Sequence, residues 1–276
     1  MQQILRLAAY LHEAGEDKQE AANTLKDLDI KYVAIKSSRY KSADEIHNLK
    51  PLLSDNNLTP ILLKSAVGYQ IPPLLSASQA IDTFNTAQYL GISHLALGLG
   101  IKIQVPPSVI DQSSLAAIQL ATNSAQDQIS TWVAVVNKLA LDYNITPVYE
   151  ITNECWYYNH IETIIKLISG TKWRLLYNPS QYLYKSNIDT YEHYYKTLKR
   201  HVDVISLQDY KHGFGCRPVG YGDAKIEKII NDCQVNNYRG WFVLEPMLGY
   251  RYGEALTRSQ TFRLAYQSLQ DLLTNG

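Results

Sequence analysis

The chain has 276 residues, 46% of them aliphatic, aromatic or cysteine, with 26 Lys and Arg set against 26 Asp and Glu. That length suits one large domain over 1–276 with a sizeable core, and no Gly/Ser-rich or Pro-rich linker divides it. A net charge near zero gives no global field to hold nucleic acid, no run approaches the roughly 20 apolar residues of a membrane span, and three widely spaced cysteines exclude a disulfide framework.

Short apolar runs alternate with longer amphipathic ones along the chain. The first strand is read in ILRLAAY (4–10), followed by a helix over 18–28. The second is KYVAIK (31–36), with a helix over 43–53. TPILLK (59–64) is the third, its helix starting near Ser78 after the Pro72-Pro73 loop. HLALGL (94–99) is the fourth, followed by a long loop and a helix over 114–143, broken at most once. The pattern then sharpens: TPVYE (146–150), WRLLYN (173–178), DVISLQ (203–208) and WFVLE (241–245) are strands, and helices follow over 159–169, 189–200, 224–234 and 258–273. Strands of this length separated by helices require a parallel sheet with crossover connections. Eight units point to closure into an α/β (β/α)8 TIM barrel, and no GxGxxG follows the first strand to favour an open sheet. The N-terminus lacks a basic stretch followed by a long apolar core, so a cytoplasmic protein is expected.

In such a barrel the functional pocket is built where the strands end. The second strand ends in Lys36, the third in Lys64, the fifth in Glu150, the sixth in Asn178 and the eighth in Glu245, while the seventh carries Ser206 and Gln208. Side chains alternate along a strand, so Glu150, Asn178, Ser206, Gln208 and Glu245 share a face with Val148, Leu176, Val204 and Val243. If those apolar residues fill the barrel, the polar ones line its mouth; the plainer alternative is that they meet solvent at loop junctions. Inward carboxylates need a charged or hydrogen-bonding partner. A pair of them suits proton removal beside a carbonyl and its return, with a cation to stabilise the enediolate between the two steps.

The second half resembles the xylose isomerase-like family of sugar isomerases and epimerases, which also includes the endonuclease IV type. The resemblance rests on TPVYE with Glu150, LLYNPSQ (175–181), VISLQDY (204–210), PVGYGDAKIEKII (218–230) and RGWFVLEP (239–246). It implies a divalent metal held by Glu, Asp, His and Glu at the ends of strands five to eight. The matching positions are Glu150, Asn178, Ser206 and Glu245, so both glutamates stand while Asp has become Asn and His has become Ser. A neutral amide oxygen and a hydroxyl are poor substitutes, so this usual ligand set is incomplete. The acidic residue often found on the family's second strand is Ala34 here.

Cations near strand ends offer a replacement. Lys64 is the first candidate to reach between the glutamates and Lys36 the second; Arg39, just after Lys36, and Lys102 also fall at or just beyond strand ends, and Lys211 and Arg217 suit a phosphate or carboxylate. Among 21 tyrosines several fall in mouth loops, where they or Trp156 would stack on a sugar; ordinary packing or contacts in a homo-oligomer are the plainer uses. Seven histidines without metal-ligand spacing suggest no zinc cluster. The expected function is therefore a sugar or sugar-phosphate isomerase or epimerase, with Glu150 and Glu245 catalytic and Lys36, Lys64, Asn178, Ser206, Gln208 and Arg217 binding substrate. The alternatives are a barrel that binds a carbohydrate-like ligand without catalysis, or a lyase or dehydratase on the same scaffold.

Overall fold

A computed structural model of the chain describes residues 5–65, 67, 73–98, 112–151, 161–184, 187–247 and 256–275. Eight parallel strands close into a barrel: β1 Leu7–Tyr10, β2 Tyr32–Lys36, β3 Thr59–Lys64, β4 His94–Ala96, β5 Thr146–Glu150, β6 Arg174–Tyr177, β7 Val202–Leu207 and β10 Trp241–Leu244. Two shorter strands, β8 Asp209–Lys211 and β9 Gly215–Arg217, form an antiparallel hairpin after β7. The expected (β/α)8 TIM barrel is the fold found.

The strands are apolar on both faces because both are covered. Ala8, Ala34, Leu62, Ala96, Val148, Leu176, Val204 and Val243 fill the barrel. Their neighbours Ala9, Val33, Leu63, Leu95, Tyr149, Leu175, Ile205 and Phe242 pack in the outer core, which the helices cover. Each large aliphatic side chain buried this way contributes about 2 kcal/mol. The N-terminal end of the barrel is closed by Trp241, with the Arg6 guanidinium 4.0 Å above its ring and Tyr32 edge-on at 4.7 Å. Beside them His94 stands 4.0 Å from the Asp203 carboxylate, which Arg174 approaches to 3.8 Å.

Helix ends are specified by a repeated device. Asp29, Asn57, Asn144 and Asn237 have φ of 52–55° and Gly91 has φ 73°, the left-handed conformation these residue types tolerate best. In each case the next residue, Ile30, Leu58, Ile92, Ile145 or Tyr238, donates its N–H back into the last helical turn, to Leu25, Leu53, Ala87, Ala140 or Cys233. The chain is thereby turned directly into the following strand or the segment leading to it.

Helix boundaries differ from the sequence expectation in three places. The 43–53 helix divides into Ala43–His47 and Leu49–Asp55, because Pro51 has no N–H to give to His47. The helix expected from near Ser78 starts earlier, at Pro73, a residue suited to a first turn. Where one helix was expected over 189–200, a π turn at Tyr191–Tyr195 passes into short helical pieces. Among the described residues no helix is long and apolar enough to cross a membrane.

Burial, aided by the charge of Arg6, lowers the His94 pKa from its ordinary 6.5 to about 4. The unfolded chain then takes up this proton at a higher pH than the folded one, so stability present above pH 6.5 is lost as pH falls from 6.5 towards 4. The loss amounts to about 3 kcal/mol. Urea unfolding near pH 7 and at about pH 4.5 should show a smaller acid-induced loss in His94→Gln than in the wild-type protein; equal losses would place the acid sensitivity elsewhere.

Candidate functional site

The layer above Val148, Leu176, Val204 and Val243 is polar. Lys36, Lys64 and Glu150 are the last residues of their strands, Asn178 and Glu245 follow theirs directly, and Ser206 and Gln208 flank the end of β7. The pleat that sends the valines inward sends these residues to the mouth, so they converge although up to 209 positions apart in sequence (36 to 245).

Lys64 joins the two carboxylates. Its Nζ is 2.6 Å from Glu150 Oε2 and 3.8 Å from Glu245 Oε1, and Lys36 Nζ lies 3.9 Å from that same Glu245 oxygen. The glutamate side chains are 1% and 2% exposed and the Lys64 side chain 14%. Charges this deep persist only when paired and hydrogen-bonded. The remaining carboxylate oxygens are served by neutral donors: Asn178 Nδ2 donates to Glu150 Oε1 at 3.2 Å, and Ser206 Oγ to Glu245 Oε2 at 3.1 Å. Asn178 also donates to Gln208 Oε1 at 2.7 Å, while its own Oδ1 accepts from Ser180 N at 3.2 Å.

The wall continues through Gln208, whose Nε2 faces Tyr184 OH at 3.1 Å, Met247 Sδ at 3.2 Å and Cys216 Sγ at 3.7 Å. Burial pushes both the Tyr184 phenol and the Cys216 thiol above their ordinary pKa, so both stay protonated at neutral pH. Met247 holds its contact from a left-handed backbone, φ 43°, immediately after the Glu245-Pro246 pair. Cys216 and Cys233 are free thiols.

Asp209 fixes the loop that frames the mouth. Its carboxylate accepts N–H groups from Tyr210 (2.9 Å), Gly220 (2.9 Å), Gly222 (2.9 Å) and Ala224 (3.2 Å). Burial raises its pKa, and the four donors offset part of that rise. The glycines are required here: Gly220 has φ +90°, and a Cβ on Gly222 would lie 2.1 Å from Asp209 Oδ1. The Gly-x-Gly-Asp segment is thus a cradle for an internal carboxylate, with Asp223 Oδ2 accepting from His212 N at 3.0 Å.

Of the residues expected from sequence, Glu150, Glu245, Lys64, Lys36, Asn178, Ser206 and Gln208 form this one network. Arg217 stands apart on β9, where its Nη1 donates to Cys216 O at 3.0 Å and its guanidinium lies 5.9 Å from the Phe214 ring centre. Lys211 faces the same ring from β8 at 5.7 Å. Lys102, Cys155 and Trp156 lie outside the described residues. Sequence reasoning missed Tyr10, whose ring centre is 5.8 Å from Lys64 Nζ. The parity used for the later strands places it inward as well, two residues beyond Ala8. Glu13 was also missed: it sits 3.1 Å from His12 Nε2. Burial works to raise its pKa, yet His12, Arg39 and Lys36 outweigh that and hold the carboxyl below its usual value.

A divalent metal does not fit this arrangement. An ammonium lies within contact distance of Glu150, the Asn178 amide hydrogens are turned towards the glutamate, and the Ser206 hydroxyl is spent as a donor. Among the described residues no cluster of His, Cys, Asp and Glu is placed to hold a metal ion.

No protein-family model and no curated protein matches the sequence. Solved structures do match the fold over nearly its whole length. The 3-keto-D-glucoside 4-epimerase YcjR of E. coli aligns at TM-score 0.73 and 14% identity, covering 98% of this chain and all of that one (100%). The IOLI protein with a bound zinc atom aligns at TM-score 0.67 and 12% identity, covering 98% and 99%. The probable 3-DHS dehydratase AsbF of Bacillus anthracis aligns at TM-score 0.66 and 8% identity, covering 99% and 100%. All three are similar to this chain in fold, and identities this low speak to the fold alone.

Asp209→Ala should lower unfolding stability by about 3 kcal/mol, since four N–H donors, that of Ala224 buried and the other three part-buried, lose their shared acceptor. Urea denaturation measures the change; a loss within experimental error would show that the loop is held by other contacts.

Proposed function

We propose that the chain is an isomerase or epimerase acting on a small sugar-like substrate, moving a proton on a carbon beside a carbonyl with Glu150 and Glu245. The observation that carries this reading is the pair of buried carboxylates brought to either side of the Lys64 ammonium at the barrel mouth. One glutamate takes the proton from the substrate carbon, the electron pair moves onto the carbonyl oxygen, and the other glutamate or the same one returns a proton to carbon. Negative charge develops on that oxygen, and the Lys64 ammonium, with Lys36 behind it, is the positive group held ready in a poorly solvated site. Asn178 and Ser206 keep one oxygen of each carboxylate oriented, leaving the lysine-facing side for substrate. Gln208 and Tyr184 offer polar atoms to substrate hydroxyls. The similarity to a 3-keto-D-glucoside 4-epimerase supports a carbohydrate as the substrate class.

A second reading is supported by the close Lys64–Glu150 contact and the two neutral replacements: a barrel that binds a sugar-like ligand without turning it over.

Proton transfer is measured without knowing the product, by following uptake of solvent deuterium at the carbon beside the carbonyl in a panel of ketoses and keto-glycosides. The wild-type protein should catalyse exchange in at least one of them, with Glu150→Gln and Glu245→Gln slower by about 10²–10⁴-fold. Full exchange in both variants would reject the pair. Saturable binding with no exchange would establish the non-catalytic barrel.

A further inference from the structure

Two of the four positions that the family resemblance assigns to a metal, Asn178 and Ser206, depart from its pattern, and with Lys64 and Lys36 the charges around the two glutamates balance. Glu150 and Glu245 bring two negative charges, and Lys64 and Lys36 bring two positive ones within 3.9 Å of them. Every carboxylate oxygen already has a donor or a cation: Oε1 of Glu150 has Asn178 and Oε2 has Lys64, while Oε2 of Glu245 has Ser206 and Oε1 faces both lysines. An aspartate at 178 would add a third negative charge that these lysines do not match. It would also lose the N–H donors that Asn178 directs at Glu150 and Gln208. A histidine at 206 would replace the hydroxyl that serves Glu245.

From this geometry we infer that the Lys64 ammonium is the permanent cation of the site, standing where a divalent metal would sit, and that it excludes such a metal as long as it is present. A divalent ion needs carboxylate oxygens at about 2.0–2.6 Å, and the Glu150 oxygen that would bind it already has Nζ at 2.6 Å. Displacing that ammonium would leave it buried and unpaired, while keeping it would press a third positive centre against the two lysines. The lysine also changes what the site recognises. A metal chelates two vicinal oxygens of a sugar, whereas an ammonium donates discrete hydrogen bonds, the first of them spent on Glu150. The site therefore selects a substrate presenting a single carbonyl or oxyanion to Lys64 rather than a chelating pair.

This inference rests on the proposed reading only for what the ammonium does to a substrate, and its test uses none. Purified wild-type protein, Lys64→Met and Lys64→Met/Glu245→Gln are titrated with Mn2+ alone, following bound metal by calorimetry and stability by thermal melting. The wild-type protein should neither bind Mn2+ stoichiometrically nor melt higher in its presence. Lys64→Met should bind one ion per chain at least an order of magnitude more tightly and be stabilised by it, and adding Glu245→Gln should abolish both effects. Where Lys64→Met does not fold, Lys64→Gln, which keeps an N–H donor for Glu150, takes its place. Stoichiometric Mn2+ binding by the wild-type protein that Glu245→Gln removes would overturn the inference. So would folded Lys64 variants that bind no better than wild type, because the ammonium would then not be what keeps the metal out. The deuterium-exchange assay stands apart: its failure alone would leave a lysine-charged binding pocket, and failure of the metal titration alone would leave an enolising enzyme with a different cation.

Discussion

Two carboxylates buried at the mouth of a barrel set the terms for everything around them. Glu150 and Glu245 are 1% exposed, and an ionised carboxylate at that depth is tolerated only with charge compensation and saturated hydrogen bonding. Lys64 supplies most of the first, and Asn178 and Ser206 supply the second. Asn178 is itself held by Gln208, and the hydroxyl of Ser180, whose N–H serves Asn178, donates to the Gln208 backbone carbonyl. Asp209, the next residue, collects the Gly220–Ala224 loop. A chain of contacts thus runs from one glutamate, through the end of β7, to the loop that frames the mouth.

Much of this was legible in the sequence because the barrel imposes a period. Strands buried on both faces read as apolar runs, and a polar residue at their C-terminal end stands out against valine and leucine. Parity then decides its direction: Val148 and Glu150, Leu176 and Asn178, Val243 and Glu245 must share a face, and they do. Lys36 and Lys64 were reached as cations at strand ends, and the same parity sets them beyond Ala34 and Leu62. It was not extended to Tyr10 beyond Ala8, although the pattern there is the same. The turns that send the chain back into the sheet were also written in plain residues, as Asp-Ile, Asn-Leu, Gly-Ile, Asn-Ile and Asn-Tyr pairs at helix ends.

What sequence could not supply is distance across the barrel. Sequence ranked Lys64 ahead of Lys36 as the group between the glutamates, but nothing local measures that Lys64 reaches both while Lys36 approaches only one, or that Arg217 follows Cys216 onto a hairpin and faces Phe214. That hairpin is three residues per strand, too short for alternation to register. The role of Asp209 was hidden for another reason. Its partners are backbone N–H groups, which every residue carries, and only Gly220 and Gly222 mark that something must approach closely. Pro51 did carry a signal, since a missing N–H inside an amphipathic stretch divides it.

The departures from the family pattern make physical sense as a set and not one by one. With a metal as the cation, an aspartate at 178 and a histidine at 206 would be assets, the first for its charge and the second for its lone pair. With an ammonium as the cation, that aspartate would be an unmatched buried charge, and the histidine would put a bulky ring where the small Ser206 hydroxyl now donates to Glu245. The reverse holds as well: Asn178 and Ser206 without Lys64 would leave two buried carboxylates sharing one neutral donor each, with Lys36 at 3.9 Å as the nearest positive group. Each arrangement is self-consistent, and mixtures carry an unpaired charge in a place where water cannot relieve it. The substitutions at 178 and 206 therefore do not by themselves mark decay of a site. Both suit a buried lysine, and beside it a positive group faces both glutamates, the element that the proposed chemistry beside a carbonyl depends on.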